Sequence, residues 1–289
     1  MRLHGWVGLG IVLGAEALLF SGNALVGRWF TPIVWTGYVL FMDALVFRLT
    51  ERSYLTTHRA EGVLVALASI VGWWIFEFYN APRFWRGGED AVGVWWQYHR
   101  MEPNLFLRRV GYDWSFATIF PALFLTAAAL RASVLARVRV RPWRPSPRLL
   151  RVAVAVGAAA SLLPFVVVSP LLVPLVWTGL VLVLEPLNAR AGRPSWLADL
   201  ARGDASRLVS LVAAGAICGV LWEFWNYWAI TKWTYTVPYV GDPKVFEMPV
   251  LGYLGFLPFA PECYAMYHWA RGWLTPGGGM AAGQGDALI

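Results

Sequence analysis

Long apolar segments separated by short polar stretches dominate the chain. A helix that crosses a membrane needs roughly 20 mostly apolar residues, and the segments come near that length. Strands of a membrane β-barrel would instead be about 10 residues long and alternate in polarity, and the sequence has no such pattern. The sequence therefore predicts an all-α membrane protein with eight transmembrane helices. The predicted spans are residues 5–26, 32–47, 62–79, 114–130, 149–168, 171–187, 208–230 and 249–269.

The fifth and sixth predicted spans nearly touch at Ser169-Pro170. Proline has no backbone N–H and ends or kinks a helix. The pattern at this point fits either a tight helical hairpin or one broken segment.

The two halves of the chain resemble each other, and polar residues recur in the same order. Each half holds four predicted spans, and an even number makes the repeats parallel, related by an axis along the membrane normal. We expect a first repeat at 1–131, an Arg- and Pro-rich cytoplasmic linker at 132–148, a second repeat at 149–274 and a disordered tail at 275–289. The matching stretches are 32–37 and 174–179, 77–80 and 223–226, and 96–98 and 233–235.

Composition narrows the class of protein. The chain is 58% hydrophobic and 14% charged, with a mean hydropathy of +0.53, whereas a soluble domain has about 25% charged residues. A cytosolic enzyme is excluded on these figures. Its two cysteines, Cys218 and Cys263, lie in apolar runs and exclude a disulfide framework or a cysteine zinc site.

Charge gives an orientation. Of the 24 basic residues, 16 fall on the side that holds both termini and the even-numbered loops. The positive-inside rule then predicts a bacterial inner-membrane protein with both termini in the cytoplasm. The net charge of +7 needs no nucleic-acid partner. The densest arginine cluster, at 131–151, is read as a topology signal, with binding of anionic lipid as the alternative.

Acidic residues inside predicted spans are the main candidates for chemistry, because a central charge costs about 2.5–3.5 kcal/mol on insertion scales. Asp43 and Glu185 lie near the cytoplasmic ends of their spans, where an arginine such as Arg48 or Arg190 is the expected partner. Six acids fall inside the spans: Glu16, Asp43, Glu77, Glu185, Glu223 and Glu262.

Glu77 and Glu223 each precede an asparagine by three residues, a spacing that places the carboxyl and the amide on one helix face. Glu262 follows two prolines in an aromatic stretch. Burial favours the protonated form of a carboxyl group, which can then act as a general acid, and aromatic faces attract cations. Glu223, Glu262 and Glu77 are therefore the predicted catalytic residues, and no metal or cofactor is expected. The predicted substrate-binding residues are Asn80, Asn226, Trp222, Trp225, Trp233, Tyr235, Phe259 and Tyr264.

Two short motifs resemble known families. Trp222-Glu223-Phe224 with Tyr227 looks like the Trp-Glu-x-x-Tyr element of integral-membrane terpene cyclases, although Asn226 stands where those enzymes have tyrosine. That resemblance implies a glutamate that helps to protonate an epoxide or alkene. Residues 261–264, Pro-Glu-Cys-Tyr, resemble the Pro-x-Glu-Glu-Phe-Phe stretch of the small-subunit-type lycopene cyclases, which are also duplicated helical membrane proteins. The second glutamate is replaced by cysteine here. Residues 246–256 are also similar to a stretch of bacterial polytopic membrane proteins.

Three functions fit these residues. The first is an enzyme of cyclase, isomerase or hydratase type that acts on an isoprenoid, a carotenoid or another lipid. The second is a proton-coupled transporter or lipid-binding protein, which needs a polar route to both faces. The third is a structural membrane subunit, for which we expect the acids to face partners and no pocket to exist. For the enzyme, we expect Glu223 and Glu262 to face one aromatic pocket in the second half.

Overall fold

The computed structural model describes residues 1–81, 93–237, 241–274 and 288. Helices make up most of this part of the chain. They are Leu3–Phe20 (α1), Ala24–Arg28 (α2), Phe30–Thr50 (α3), Arg59–Asn80 (α4), Leu105–Ala117 (α5), Ile119–Ala132 (α6), Pro147–Val166 (α7), Val173–Val176 (α8), Gly179–Arg190 (α9), Trp196–Leu200 (α10), Ser206–Trp228 (α11) and Phe256–Leu274 (α12).

Two small antiparallel ribbons complete the described structure and lie in the loops between helices. One pairs Trp96–His99 (β1) with Lys232–Tyr235 (β2), and the other pairs Lys244–Val245 (β3) with Met248–Pro249 (β4). The sequence analysis predicted no strands, because each of these is at most four residues long.

Among the described residues, seven helical segments are long and apolar enough to cross a membrane, so the chain is a multi-pass membrane protein. Two of the seven are broken helices: α5 and α6 form Leu105–Ala132, and the sixth, Pro170–Arg190, is made of a 3-10 turn, α8 and α9. These seven correspond to the first seven predicted spans. The eighth predicted span, 249–269, begins in the 3-10 helix Val250–Gly255 and continues into α12. It is not among the seven, and its prolines and polar residues lower its hydropathy.

The junction at Ser169-Pro170 is a tight hairpin. Helix α7 ends at Val166, and the Ser169 hydroxyl accepts a hydrogen bond from Leu171 N at 3.3 Å, which starts the next helical turn. A Cβ at Gly157 would lie 2.8 Å from the carbonyl oxygen of Gly179, so the absence of side chains lets α7 and α9 approach closely.

Helix α4 shows how the bundle meets lipid. Val63, Leu67 and Val71 recur at intervals of four residues and are 55–62% exposed, while Val65 and Phe76 on other faces are fully buried. An exposed apolar stripe of this length is stable only against an apolar solvent. The fold therefore turns its polar residues inward and its aliphatic residues outward.

The two acids near the cytoplasmic ends of their spans have different partners from those expected. The Asp43 carboxylate lies 3.1 Å from His4 Nε2 and accepts the backbone N–H of Leu55 at 3.2 Å. Glu185 accepts the Ser195 hydroxyl at 2.6 Å and the backbone N–H of Leu197 at 3.0 Å. The proposed pairs with Arg48 and Arg190 do not form, because the loop after each helix folds back and supplies nearer donors.

The arginine-rich segment between the halves is held by backbone hydrogen bonds. Val140 N donates to Gly203 O at 3.1 Å, and Trp143 N donates to Leu200 O at 2.9 Å. Ala205 N donates to Val138 O at 2.9 Å. The expected disordered tail at 275–289 lies outside the described residues except for residue 288.

Candidate functional site

A cavity of about 550 Å³ lies between the two halves of the bundle, beside the β1–β2 ribbon. Residues from α3, α4, α5, α11 and α12 line it together with both strands. Ligand pockets commonly have volumes of roughly 300–1,000 Å³, so the volume suits a lipid-sized molecule. Eight tryptophans line the cavity: Trp29, Trp35, Trp73, Trp95, Trp96, Trp177, Trp222 and Trp233.

The ribbon joins the two Trp-x-Tyr stretches directly. Trp96 lies opposite Tyr235, and Tyr98 lies opposite Trp233. The two stretches are therefore paired antiparallel, with Gln97 opposite Thr234.

An asparagine at the end of a helix clamps each strand of the ribbon. Asn80 donates from Nδ2 to Trp96 O at 2.9 Å, and its Oδ1 accepts Trp96 N at 3.2 Å. Asn226 donates from Nδ2 to Trp233 O at 2.8 Å, and its Oδ1 accepts Trp233 N at 2.9 Å. Both amides are buried. The two asparagines therefore hold the ribbon over the ends of α4 and α11.

Glu77 is tightly held. Its Oε1 accepts three hydrogen bonds, from Trp73 Nε1 at 2.9 Å, Trp96 Nε1 at 3.1 Å and Tyr98 OH at 2.5 Å. Three donors on one oxygen offset much of the cost of placing a carboxyl group in the bundle. This arrangement is that of a structural anchor between α4 and β1.

Glu223 has the same place on α11 but far fewer partners. Its Oε1 accepts Tyr235 OH at 2.7 Å, and Trp233 Nε1 donates to that same hydroxyl at 2.8 Å. The residue is 0% exposed and lines the cavity. Its Oε2 has no hydrogen-bond partner among the described residues. A buried polar atom without a partner costs about 1–3 kcal/mol, so this oxygen is available to a ligand.

The difference between the two glutamates has a local cause. Trp73, four residues before Glu77, supplies an indole donor, whereas the residue four before Glu223 is Gly219. A Cβ at Gly219 would overlap the ring of Phe256. Phe256 of α12 thus packs against Gly219, and Glu223 has no indole donor four residues before it.

The hydroxyl groups of the two ribbon tyrosines, Tyr98 and Tyr235, stay protonated and act as hydrogen-bond donors. Burial, followed by the nearby Glu77 carboxyl, raises the pKa of Tyr98 well above its usual value. Burial and the Glu223 carboxyl raise the pKa of Tyr235 in the same direction. Both hydroxyls therefore keep their protons and donate throughout the physiological pH range.

Glu262 lies elsewhere. Its Oε1 accepts the backbone N–H groups of Leu180 at 2.9 Å and Val181 at 3.3 Å, the first residues of α9. A carboxyl group at a helix N-terminus accepts hydrogen bonds from backbone N–H groups that have no acceptor within the helix. The positive end of the helix dipole also stabilises its negative charge. It is fully buried and is not among the described residues that line the cavity. The structure does not bring Glu262 and Glu223 to one pocket, and Glu262 caps the broken sixth span.

Aromatic contacts cross between the halves beside the cavity. Trp35 of α3 lies 4.9 Å from Trp222 of α11, measured between ring centroids, and Trp177 lies 5.0 Å from Phe76 of α4. Phe259 of α12 touches both sides, at 6.0 Å from Trp222 and 5.4 Å from Trp177. Four of these rings line the cavity: Trp35, Trp177, Trp222 and Phe259.

The other predicted site residues divide between the cavity and the surrounding bundle. Trp222, Trp233, Tyr235 and Phe259 line the cavity. Trp225 donates from Nε1 to Glu16 at 2.9 Å and so joins α11 to α1.

Tyr264 is not among the described residues that line the cavity. Its hydroxyl accepts a hydrogen bond from Arg207 Nη1 at 2.7 Å. Asn80 and Asn226 act through the ribbon, as described above.

Several cavity residues were missed by the sequence analysis. Trp35 and Trp177 belong to the repeated stretches 32–37 and 174–179, which marked the duplication but were not proposed as site residues. Arg28, Arg108 and Lys232 also line the cavity, and they had been counted only as loop charges. Recurrence of a large aromatic residue at one position in both halves is the signal that identifies the tryptophans.

Within residues 1–81, 93–237 and 241–274, no group of three or more His, Cys, Asp or Glu side chains could hold a metal ion. No protein-family model matches the chain, and neither a curated protein nor a solved structure matches it.

Proposed function

We propose that the protein is a membrane enzyme that protonates an isoprenoid or similar unsaturated lipid, with Glu223 as the general acid. The observation that supports this most directly is the Glu223 carboxyl, which has one oxygen without a protein partner beside an aromatic cavity of about 550 Å³. An acid next to aromatic faces is the arrangement that acid-initiated cyclisation needs, because the rings stabilise the cation that follows.

The proposed reaction balances without a co-reactant. The proton of the Glu223 carboxyl is transferred to one carbon of a C=C bond, whose π electrons form the new C–H bond and leave a cation on the other carbon. A second double bond of the same chain attacks that cation and closes a ring. Loss of a neighbouring proton to the Glu223 carboxylate restores both the acid and a double bond. The product is an isomer of the substrate, and no cofactor is required.

Tyr235 is the proposed positioning residue for this acid. Its hydroxyl donates to Glu223 Oε1 and accepts from the Trp233 indole, at 2.7 Å and 2.8 Å. The hydrogen bond fixes one oxygen of the carboxyl and leaves the other directed to the substrate. Asn226 in turn fixes the strand that holds both residues.

We also propose that the chain consists of two parallel four-helix repeats about an axis along the membrane normal. Support comes from matched contacts in the two halves: the two clamping asparagines, the crossed pairs Trp35–Trp222 and Trp177–Phe76, and the acids that accept Leu55 N and Leu197 N. Helix α12 is then the eighth span, and its residues from Phe259 to His268 are buried by protein rather than exposed to lipid. In this proposal the protein lies in a bacterial inner membrane, and both termini are on the cytoplasmic side.

The cavity separates the enzyme from the two alternatives. A proton-coupled carrier needs a polar route to both faces. Glu262, the other buried glutamate of the predicted site, accepts backbone N–H groups of α9 and does not extend the cavity beyond Glu223. A structural subunit needs no cavity. The aromatic lining and the partnerless Glu223 Oε2 of a residue that lines the cavity favour the enzyme over both.

The test compares lipid extracts from cells that express the wild-type chain, Glu223→Gln or Glu77→Gln. Cyclisation conserves mass, so the wild-type chain should shift a lipid in chromatography without changing its mass. Glu223→Gln should abolish the shift, because an amide has no acid proton to transfer. Glu77→Gln is the matched control, since it alters a carboxyl whose Oε1 already accepts three donors and which is not among the described residues that line the cavity. Extracts that do not distinguish wild type from Glu223→Gln would overturn the proposal.

A further inference from the structure

Among the described residues, three cationic side chains lie in the lining of the cavity with its aromatic rings: Arg28, Arg108 and Lys232. Two of them have carboxylate partners. Arg28 Nη1 lies 3.1 Å from Glu102 Oε2, and Lys232 Nζ lies 2.6 Å from Glu247 Oε1. Their charges are therefore largely compensated within the protein.

Arg108 is different. Its Nε donates to the backbone carbonyl of Glu102 at 2.7 Å, which is a neutral acceptor. In the part of the chain that the structure describes, its guanidinium forms no ion pair and its two terminal nitrogens have no acceptor. It is half-buried, in the first turn of α5, and borders the same cavity as Tyr112 and Glu223.

The next residue provides a comparison on the same helix. Arg109 pairs with Asp113 at 2.8 Å and lies over the ring of Trp74, 4.1 Å from its centroid. It is not among the described residues that line the cavity. The two adjacent arginines therefore differ in their surroundings. Arg109 is paired with a carboxylate and does not line the cavity, whereas Arg108 lines the cavity and its terminal nitrogens have no acceptor among the described residues.

A partly buried guanidinium with free donors is suited to an anion with several oxygens, because the planar fork of arginine matches phosphate in a bidentate geometry. The rest of the cavity offers aromatic faces that suit an apolar chain. A ligand with an apolar chain and a phosphorylated end satisfies both.

We infer that Arg108 binds the phosphate or diphosphate head group of the lipid whose chain occupies the aromatic cavity. This inference rests on the proposed function and names its substrate class: a phosphorylated isoprenoid rather than a neutral hydrocarbon. The chain has no Asp-rich motif for a magnesium-bound diphosphate. Here the guanidinium takes the place of the metal as the counter-charge, and Arg28 lies beside it through Glu102.

Binding is measured on the full chain in nanodiscs of neutral lipid, by quenching of the fluorescence of the cavity tryptophans. The ligands are geranylgeranyl diphosphate, geranylgeraniol and inorganic diphosphate. Wild type should bind the lipid diphosphate roughly tenfold more tightly than the alcohol, the ratio expected for one charge-assisted hydrogen bond or more. Inorganic diphosphate at the same concentration should not displace the lipid, because it lacks the chain.

Arg108→Gln should lower affinity for the lipid diphosphate about tenfold and leave the alcohol unchanged. Arg108→Lys keeps the charge and should retain part of the preference, which guards against a variant that merely misfolds. Arg109→Gln should behave as wild type, because its partner is Asp113. Raising the salt concentration should weaken only the diphosphate complex.

Equal binding of the alcohol and the diphosphate by wild type, or equal losses in Arg108→Gln and Arg109→Gln, would overturn the inference. Displacement by inorganic diphosphate at equal concentration would also overturn it, in favour of a site for free anions. Glu223→Gln should bind both lipids as wild type does. A head-group preference without any lipid product would thus contradict only the proposed reaction. A lipid product without a head-group preference would contradict only the assignment of Arg108 to the head group.

Discussion

Replacing Tyr235 with phenylalanine should lower the free energy of unfolding more than the equivalent replacement of Tyr98. Tyr235 OH donates to Glu223 Oε1 and also accepts from Trp233 Nε1, so it links the carboxyl to the indole. Tyr98 OH is one of three donors to Glu77 Oε1, and the Trp73 and Trp96 indoles remain when it is removed. The two substitutions delete the same atom from equivalent positions but leave very different residues behind.

The magnitudes follow from what is left unpaired. Tyr235→Phe removes the hydrogen-bond partner of a buried carboxyl group and of a half-buried indole N–H, which should cost about 3 kcal/mol at roughly 1–3 kcal/mol for each unsatisfied group. Tyr98→Phe removes one hydrogen bond from an oxygen that keeps two, and should cost about 1 kcal/mol. At roughly 2–4 °C per kcal/mol for a chain of this size, the expected falls in melting temperature are about 6–12 °C and about 2–4 °C.

The assay is thermal unfolding of the purified full chain in one detergent, followed by tryptophan fluorescence. Tyr227→Phe is the control, because Tyr227 is 41% exposed and its hydroxyl has no hydrogen bond among the described residues. That variant should melt within a degree or so of wild type, as surface substitutions usually do. A fall for Tyr98→Phe as large as that for Tyr235→Phe would refute the claim that Glu223 is the less supported carboxyl.

Three further predictions concern packing, the role of Glu262 and topology. Gly219→Ala should destabilise the chain by roughly 1–3 kcal/mol through overlap with Phe256, while Gly10→Ala, where a Cβ would meet nothing within 4 Å, should be neutral or stabilising in thermal unfolding. Glu262→Ala should lower the free energy of unfolding by about 1–3 kcal/mol for each of the N–H groups of Leu180 and Val181 that it leaves unpaired. Glu262→Gln keeps an acceptor and should retain both stability and any lipid product. Loss of product in a stable Glu262→Gln variant would instead support a catalytic role for Glu262. A reporter fused after Leu274 should be active only in the cytoplasm, and activity only in the periplasm would contradict the eight-span topology.

Much of the membrane architecture follows from local sequence. Apolar runs of span length and the spacing of Glu77 with Asn80, and of Glu223 with Asn226, are local features, and they predicted the seven crossing segments and the paired carboxyl–amide positions. The asparagines, which were predicted as substrate-binding residues, hydrogen-bond to loop backbone. Short-range patterns suffice for these features because they depend on periodicity and on residues within one helix.

Features that depend on distant pairing were not predictable. Trp96 and Tyr235 are far apart in the chain, and four-residue strands give no detectable alternation. Glu262 was misjudged for a related reason: an acid after a proline in an apolar helix has the same sequence whether it faces a cavity or caps another helix. Its role depends on the break before Gly179 in a different span. The partners of Asp43 and Glu185 likewise depend on how the following loops fold back.

Deuterium incorporation tests the assignment of Glu223 as the acid most directly. Cells that express the wild-type chain, Glu223→Gln or Glu77→Gln are grown with a preformed isoprenoid supply and transferred to deuterated water, and the lipids are analysed by mass spectrometry. Proton transfer from an exchangeable carboxyl should place one deuterium on carbon for each protonation event, in wild type and Glu77→Gln but not in Glu223→Gln. Carbon-bound deuterium that persists in Glu223→Gln, or is absent from the wild-type product, would contradict it.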